Sequence, residues 1–287
     1  MIQVESGDVL AMRDVRFDDV LKEINEKQAQ VSYATMLGAS AGFLGLGATF
    51  LAGQVGLIVL GLVLPAWAIG RWLDSYKRRT VLFYNLEEDA KDAYEALTKA
   101  FDQMAACSGK WRIEAGGAVR DVATWKRNAG ASHIIDRKPT GLSYAAPHGI
   151  ATNITPPAVL IGKRTIYFFP DAAFIFDGKR MGAVGYDSLA IRWQNSNFIE
   201  EGTVPGDAQV VGHTWKHPNK NGGPDRRFAS NYQIPVCLYE AALFASESGL
   251  NEMLEFSRTG VIAPFVNALN ELGQKTGRST KLLAQTN

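Results

Sequence analysis

No charged side chain occurs between Lys27 and Arg71. An ordinary solvated surface is thereby excluded for this segment, since about 20 apolar residues suffice for one helix to cross a bilayer and residues 28–70 are long enough for two. Cysteine is nearly absent as well. Cys107 and Cys237 lie far apart, with neither metal-ligand nor redox spacing, and read as reduced thiols. The chain has no Gly-x-Ser-x-Gly elbow and no phosphate loop ending in Gly-Lys-Ser or Gly-Lys-Thr, so the local signatures of a serine hydrolase or a phosphate-loop enzyme are missing. Gly42-x-x-Gly45-x-Gly47 falls inside the apolar stretch and follows no strand, which removes the dinucleotide-binding reading, and no cofactor is expected. Met1 to Arg16 is acidic as often as basic, with no apolar core directly behind it, unlike a cleavable signal. A net charge of +1 supplies no general attraction to polyanions, so no nucleic-acid partner is expected.

The uncharged stretch divides at Ala52-Gly53-Gln54-Val55 into an Ala/Gly-rich half, Tyr33 to Leu51, and a more aliphatic half, Gly56 to Leu73. In hydrocarbon every backbone donor and acceptor must be paired internally, which two membrane-spanning helices joined by a tight turn achieve. Arg71, Lys77, Arg78 and Arg79 follow the second half, whereas the turn carries no charge; the positive-inside pattern puts both termini in the cytoplasm, with the hairpin in the inner membrane. Trp67 and Trp72 stand near the exit end, where indoles prefer the headgroup level. The competing reading is a Gly-rich hairpin buried in a soluble protein or at a subunit interface. Gly38, Gly42 and Gly45 on the first helix and Gly56 and Gly61 on the second allow close helix packing. Their spacing fits intramolecular packing, a homo-oligomer or a pore.

Ahead of the hairpin, Phe17, Val20, Leu21 and Ile24 recur at helical spacing, which predicts an amphipathic helix. Behind it, Asn85 with Glu88 reads as a helix cap, and Leu86, Ala90, Tyr94, Leu97, Phe101 and Met104 form the apolar stripe of a helix ending near Ser108-Gly109. From Lys110 the pattern changes to short β-rich runs: Lys110 to Glu114, Val159 to Ile161, Thr165 to Phe169, Ala173 to Phe176, Gly182 to Tyr186 and Ala190 to Trp193. The tight turns at Gly162-Lys163, Pro170-Asp171 and Asp177-Gly178 imply an antiparallel meander. Asp207 to Thr214 and Val236 to Ala245 extend it, and a final helix carries Ile262, Phe265, Val266, Leu269 and Leu272, with Pro264 in its first turn and Gly273 past its end. A bent antiparallel sheet closed by one helix resembles the pleckstrin-homology superfold, a likeness of fold that assigns no ligand.

These readings give an α+β chain: an N-terminal amphipathic helix over 1–31, two transmembrane helices over 32–73, a connecting helix over 74–109, a cytoplasmic β-rich domain over 110–273 and a flexible tail over 274–287. Val81 to Leu272 is expected to hold a core of its own.

Trp125-Lys126-Arg127-Asn128-Ala129-Gly130-Ala131, the Phe169-Pro170-Asp171 turn, Gly182-Ala183-Val184, Gly212-His213-Thr214-Trp215 and Gly222 to Phe228 together resemble a bacterial domain family of largely unassigned function, similar over roughly Val81 to Ser257. Members of that family are joined to varied N-terminal modules, which implies an adaptor or sensing domain. Beside a membrane hairpin it would suit bacterial stress or phage defence. No catalytic residues are carried over.

Few residues bear chemistry. His213 and His217 are four apart, but the run reads as strand and no glutamate follows His213, which argues against a zinc site; His133 and His148 have no carboxylate or cysteine neighbours in sequence, and no metal is expected. Lys126, Arg127 and Asn128 stand beside Trp125, a pairing of cation and aromatic that can bind an anionic or planar ligand. Asp225, Arg226 and Arg227 follow the Gly222-Gly223-Pro224 turn, where an Asp–Arg pair either shapes the loop or presents an anion site. The expected function is a membrane-anchored sensor or adaptor that binds a protein partner or a small anionic ligand. A pore-forming or membrane-disrupting oligomeric effector and a membrane-bound hydrolase stand as alternatives.

Overall fold

In the computed structural model, which describes residues 2–77, 79–118, 129, 131 and 133–276, the chain joins the β-rich part of the molecule before it forms the hairpin. A short strand, β1 (Ile2–Gln3), pairs antiparallel with Ala115 and Gly116. Two single-turn 3-10 helices follow, opened by Asp8 and Asp14, whose carboxylates accept the amides of Leu10 and Arg16. Val9 and Met12 are fully buried between them, and the Met12 carbonyl accepts from the Ala183 amide at 2.9 Å. Helix α1 (Asp18–Ala29) then lays Leu21 and Ile24, with Phe17, onto a sheet face while its acidic first turn meets solvent. The segment before the hairpin is therefore more than the expected amphipathic helix, because it supplies a strand and two core residues as well.

The hairpin is built as α2 (Tyr33–Ala52), a reversal at Gly53, and a second arm split into α3 (Gln54–Gly61) and α4 (Val63–Lys77). Gly53 sits at φ 54°, where a Cβ would be strained. The split at Leu62 precedes Pro65, whose ring lacks an amide proton and clashes with the carbonyl four residues back. At the base, the Asp74 carboxylate from α4 caps α2: it accepts from Ser32 Oγ at 2.5 Å and from the amides of Tyr33 and Ala34 at 2.9 and 3.1 Å. Those amides lack partners within their own helix, so an acid from the other arm satisfies them and favours the positive end of the dipole. Packing between the arms is closest at Gly70, where a Cβ would stand 2.5 Å from Ala34 Cα, and at Gly45, where it would stand 2.7 Å from Leu60 Cδ2. Gly38 lies against Trp67, Gly56 lies in α3, and Gly42 and Gly61 have no neighbour within 4 Å. Gly70, the tightest approach, went unmarked because Arg71 beside it reads as the end of the apolar run.

The chain returns through β2 (Thr80–Leu82) and an extended stretch clamped by Asn153, which accepts from the Tyr84 amide at 2.9 Å and donates to the Tyr84 carbonyl at 2.7 Å. That clamp delays helix α5 (Glu88–Ala105), so Asn85 is no cap and the N-cap position falls on Glu87. Next come β3 (Lys110–Ala118), β4 (His133–Pro139), β5 (Leu142–Tyr144), β6 (Ile150–Thr152), β7 (Pro157–Ile161), β8 (Arg164–Phe168), β9 (Ala172–Asp177) and β10 (Arg180–Gly185). They are followed by β11 (Leu189–Ile199), β12 (Gln209–Trp215), β13 (Gln233–Ser246), β14 (Asn251–Phe256) and α6 (Ile262–Thr276). Helix α6 runs past Gly273, whose missing side chain lets it approach Tyr186; a Cβ there would stand 3.0 Å from Tyr186 Cβ.

A five-stranded antiparallel sheet runs β10-β9-β8-β7-β5, and a seven-stranded one runs β1-β3-β14-β13-β11 with β4 on β3 and β12 on β13. A parallel pair, β2–β6, joins the chain after the hairpin to the domain. The main core fills the space between the five-stranded sheet, β13–β14 and the helices α5 and α6, with Leu97, Phe101, Ile175, Phe244, Phe256 and Phe265 at its centre. On the sheet's other side, α1, Leu82 and Ile150 cover Phe174, Phe176 and Met181. Strand β9 is thus buried on both faces, beyond the one buried side that its alternation predicts, and truncating Phe174 to alanine is expected to cost about 3–5 kcal/mol.

Because Val9, Met12, Phe17, Leu21 and Ile24 belong to these cores, the β-rich unit does not end at Val81. The Lys27 ammonium reaches the Arg79 carbonyl at 3.3 Å, so a short Gly-Ser linker in place of residues 31–78 can close the chain. That protein is expected to unfold cooperatively in urea, whereas deletion of residues 1–77 should give an aggregated or molten product by near-ultraviolet circular dichroism. Equal cooperativity of the two would contradict the shared core.

Candidate functional site

The loop between β12 and β13 holds the sequence-predicted Asp225, Arg226 and Arg227. Asp225 is buried, and its carboxylate takes the amide and Nε of Arg227 on Oδ1 and Nη2 on Oδ2, the last at 2.5 Å. Arg226 and Arg227 are exposed. The loop is closed by Asn231, which accepts from the His217 amide and donates to its carbonyl, and His217 stacks on Phe228 at 4.0 Å. His217 is thereby a packing residue, and exposed His213 lies in strand as predicted. Among the described residues no group of three His, Cys, Asp or Glu side chains is placed to hold a metal ion. Trp125, Lys126, Arg127 and Asn128 lie outside the described residues. Ala129, next in sequence, is buried with φ 52°, and its carbonyl accepts from Thr214 Oγ1 at 2.9 Å.

The seven-stranded sheet brings together a second group. Residues opposite one another on antiparallel strands share a face, and the register places Trp111 beside Glu255, Ser196 beside Tyr239 and Phe198 beside Cys237. Arg137 of β4 lies over this face, with its Cζ 4.1 Å from the Trp111 ring centroid and 3.9 Å from that of Phe198. Its Nη2 donates to Glu200 Oε2 at 2.5 Å, and Tyr239 Oη donates to the same oxygen at 2.8 Å. Glu255 accepts from Ser196 on Oε1 and turns Oε2 toward Arg137 Nη1 at 3.6 Å, a pair too long for a hydrogen bond. Burial raises the Glu255 pKa against the pull of Arg137. Burial also raises the pKa of the Cys237 thiol. A protonated thiol is a weak nucleophile, and the hydrogen bonds and ion pairs of the group tie the strands to one another.

A third group surrounds the Phe169-Pro170-Asp171 turn. Asp171 is buried; Tyr84 Oη donates to its Oδ1 at 3.0 Å, and its Oδ2 has no hydrogen-bond partner. Tyr94 and Tyr186 donate to the carbonyls of Phe168 and Phe169, walling the turn. Desolvation outweighs the hydrogen bond from Tyr84, the weaker help of the Asp171 and Ala172 amides and the pull of Arg16, and the Asp171 carboxyl is pushed up to about 6. Arg137, Glu200, Tyr239 and Glu255 escaped the sequence reading; their signal was charge inside otherwise apolar strands, as in Asn251–Phe256.

No protein-family model, no curated protein and no solved structure matches the chain.

Two outcomes follow from these geometries. The Asp171 carboxyl titrates near 6 in the folded state and near 3.8 as its ordinary value, so its contribution to stability is complete below pH 3.8 and is lost as pH rises through about 6. Asp171→Asn, which mimics the neutral acid, should therefore be more stable than the natural protein above pH 6 by up to about 3 kcal/mol and show no advantage at pH 4, in urea titrations at both pH values. Arg137→Ala leaves Glu200 and Glu255 buried without their cation and should destabilise by about 3–5 kcal/mol; a loss below about 1 kcal/mol in the same titration would show that water reaches these acids.

Proposed function

We propose that the chain is a membrane-anchored sensor or adaptor whose helical hairpin lies in the inner membrane and whose β-rich domain faces the cytoplasm. One observation carries the anchor: α2 and the second arm are long and apolar enough to cross a membrane, and their outer surface exposes Phe43, Leu44, Leu46, Ile58, Leu62 and Leu64 while their only carboxylate, Asp74, is engaged at the base. In water such a surface would be a large exposed apolar patch. Arg71, Lys77 and Arg79 at that base support cytoplasmic termini. The meander closed by α6 supports kinship with the pleckstrin-homology superfold. The ligand reading rests on Lys126, Arg127, Arg226 and Arg227 as donors to an anionic ligand or an acidic partner. The tie from Thr214 to Ala129 favours their sharing one site, because β12 leads directly into the loop bearing Asp225. A role in bacterial stress or phage defence rests on the family resemblance.

A second reading, an oligomeric pore-forming effector, is favoured by Gly42, Gly47 and Gly61, which face away from the partner arm with nothing within 4 Å. Small residues on an outer face permit close approach of another helix.

Carbonate and high-salt washes should leave the protein in the membrane fraction. Leu62→Arg with Leu64→Arg should release it or block insertion, since each charge at mid-span costs about 2.5–3.5 kcal/mol on insertion scales; unchanged fractionation of that variant would exclude the anchor. Gly42→Leu with Gly61→Leu separates the two readings: a monomer in detergent before and after substitution supports the anchor, and an oligomer lost on substitution supports the effector.

A further inference from the structure

We infer that the domain does not hang freely from its hairpin but lies on the bilayer surface, through an apolar rim formed by Val81 and Phe83, with the headgroup layer as its partner. This rests on the anchor reading above. The rim is exposed although it lies on β2 and the residue that follows it: Val81 and Phe83 are 65% and 71% exposed, whereas Thr80 and Leu82, which alternate with them, are buried. The covered face packs on α1 and Ile150, so the open face is left for something outside the domain.

Its position identifies that partner. Chain reach is at most about 3.6 Å per residue, and only two residues separate Lys77, the last of α4, from Thr80, the first of β2. The rim therefore starts within about 14 Å of the helix end. The end of the hairpin is itself marked as interfacial by cations over rings, Arg71 over Trp67 at 5.3 Å and Lys77 over Tyr33 at 5.6 Å, and by Trp72 stacked on Tyr76. Aromatics and lysine or arginine gather at the headgroup level, a layer about 5–7 Å deep on each side of the hydrocarbon. The domain cannot swing away from that layer. Lys27 is bonded to the Arg79 carbonyl and Gln28 to the His148 carbonyl, Thr80 Oγ1 donates to Glu23, and β2 is paired along its length with β6. An anchored protein with this base presents Val81 and Phe83 to the bilayer at a fixed height, and burying them there removes apolar surface from water without any new ordering of the chain.

The test uses the full chain in vesicles of phosphatidylcholine and phosphatidylglycerol. Cys107 and Cys237 are buried, so an environment-sensitive fluorophore can be attached at single added cysteines: Phe83→Cys or Val81→Cys in the rim, Phe43→Cys at mid-span, where the natural side chain is 78% exposed, and Lys220→Cys in the exposed loop between β12 and β13. Emission is quenched by iodide from water or by brominated lipid from the bilayer. The expected result is several-fold stronger quenching by lipid than by iodide at positions 43, 81 and 83, with the reverse at 220. Lipid quenching at 43 but iodide quenching at 81 and 83 overturns the docked rim and leaves the anchor standing. Iodide quenching at 43 overturns the anchor and the rim with it.

Discussion

A chain that leaves a folded domain as two long apolar helices must return to the place it left, and the base of the hairpin is where that constraint is met. Helix α2 is about 30 Å long, and its first amides have no partners of their own. Asp74, arriving at the end of the second arm, supplies the acceptors, and this fixes the relative register of the arms. Given that register, Gly70 must face Ala34, and only a glycine fits. The same constraint explains the first residues of the chain. To reach the base from the domain, the N-terminal segment crosses both cores and is held by Val9, Met12 and Phe17, so the sheet that carries the candidate sites is completed by residues on the far side of the hairpin in sequence.

Buried acids show how the domain handles charge. Glu240 is neutralised by a helix N-terminus, accepting the Val261 and Ile262 amides. Glu252 takes Ser6 Oγ and Arg112 Nε. Glu200 and Glu255 share Arg137. Each has a cation or a dipole that offsets the loss of water, though for Glu255 burial still prevails and its pKa rises. Asp171 has no ion-pair partner, only the hydroxyl of Tyr84 with weaker help from nearby amides and from Arg16, and its proton affinity rises to about 6. The least compensated acid thus sits where the chain returning from the hairpin, through Tyr84, meets the turn between β8 and β9.

Which elements were legible follows from the physics of each. The hairpin was visible because an unbroken uncharged run is a local signal, and the meander β7 to β10 because two- and three-residue turns and alternating apolar residues are local signals as well. The strands β4 and β14 were not, since His133–Pro139 carries Asp136, Arg137 and Lys138, and Asn251–Phe256 carries Glu252 and Glu255. The enclosed charges among these, Arg137, Glu252 and Glu255, are admissible only because partners from distant strands neutralise them, and no local pattern announces that. The expected start of α5 at Asn85 failed for a similar reason: Asn153, far along the chain, holds Tyr84 extended.

The same distinction separates the charges that sequence makes prominent from those that matter to stability. Asp225 and Arg227 are two apart and easily noticed, yet the Arg227 side chain is 72% exposed, and water screens such a pair so that it adds little to stability. Arg137 is inconspicuous, but it lies between two aromatic rings and two buried acids. For ligand binding the ranking reverses. An anion cannot reach Arg137 without dismantling its pairs, whereas at the loop it would compete with one carboxylate for Arg227 and exchange one charge-assisted pair for another of similar strength. Such an exchange has little net driving force alone, so a useful anion site at this loop needs donors beyond Arg227. Exposed Arg226 is one.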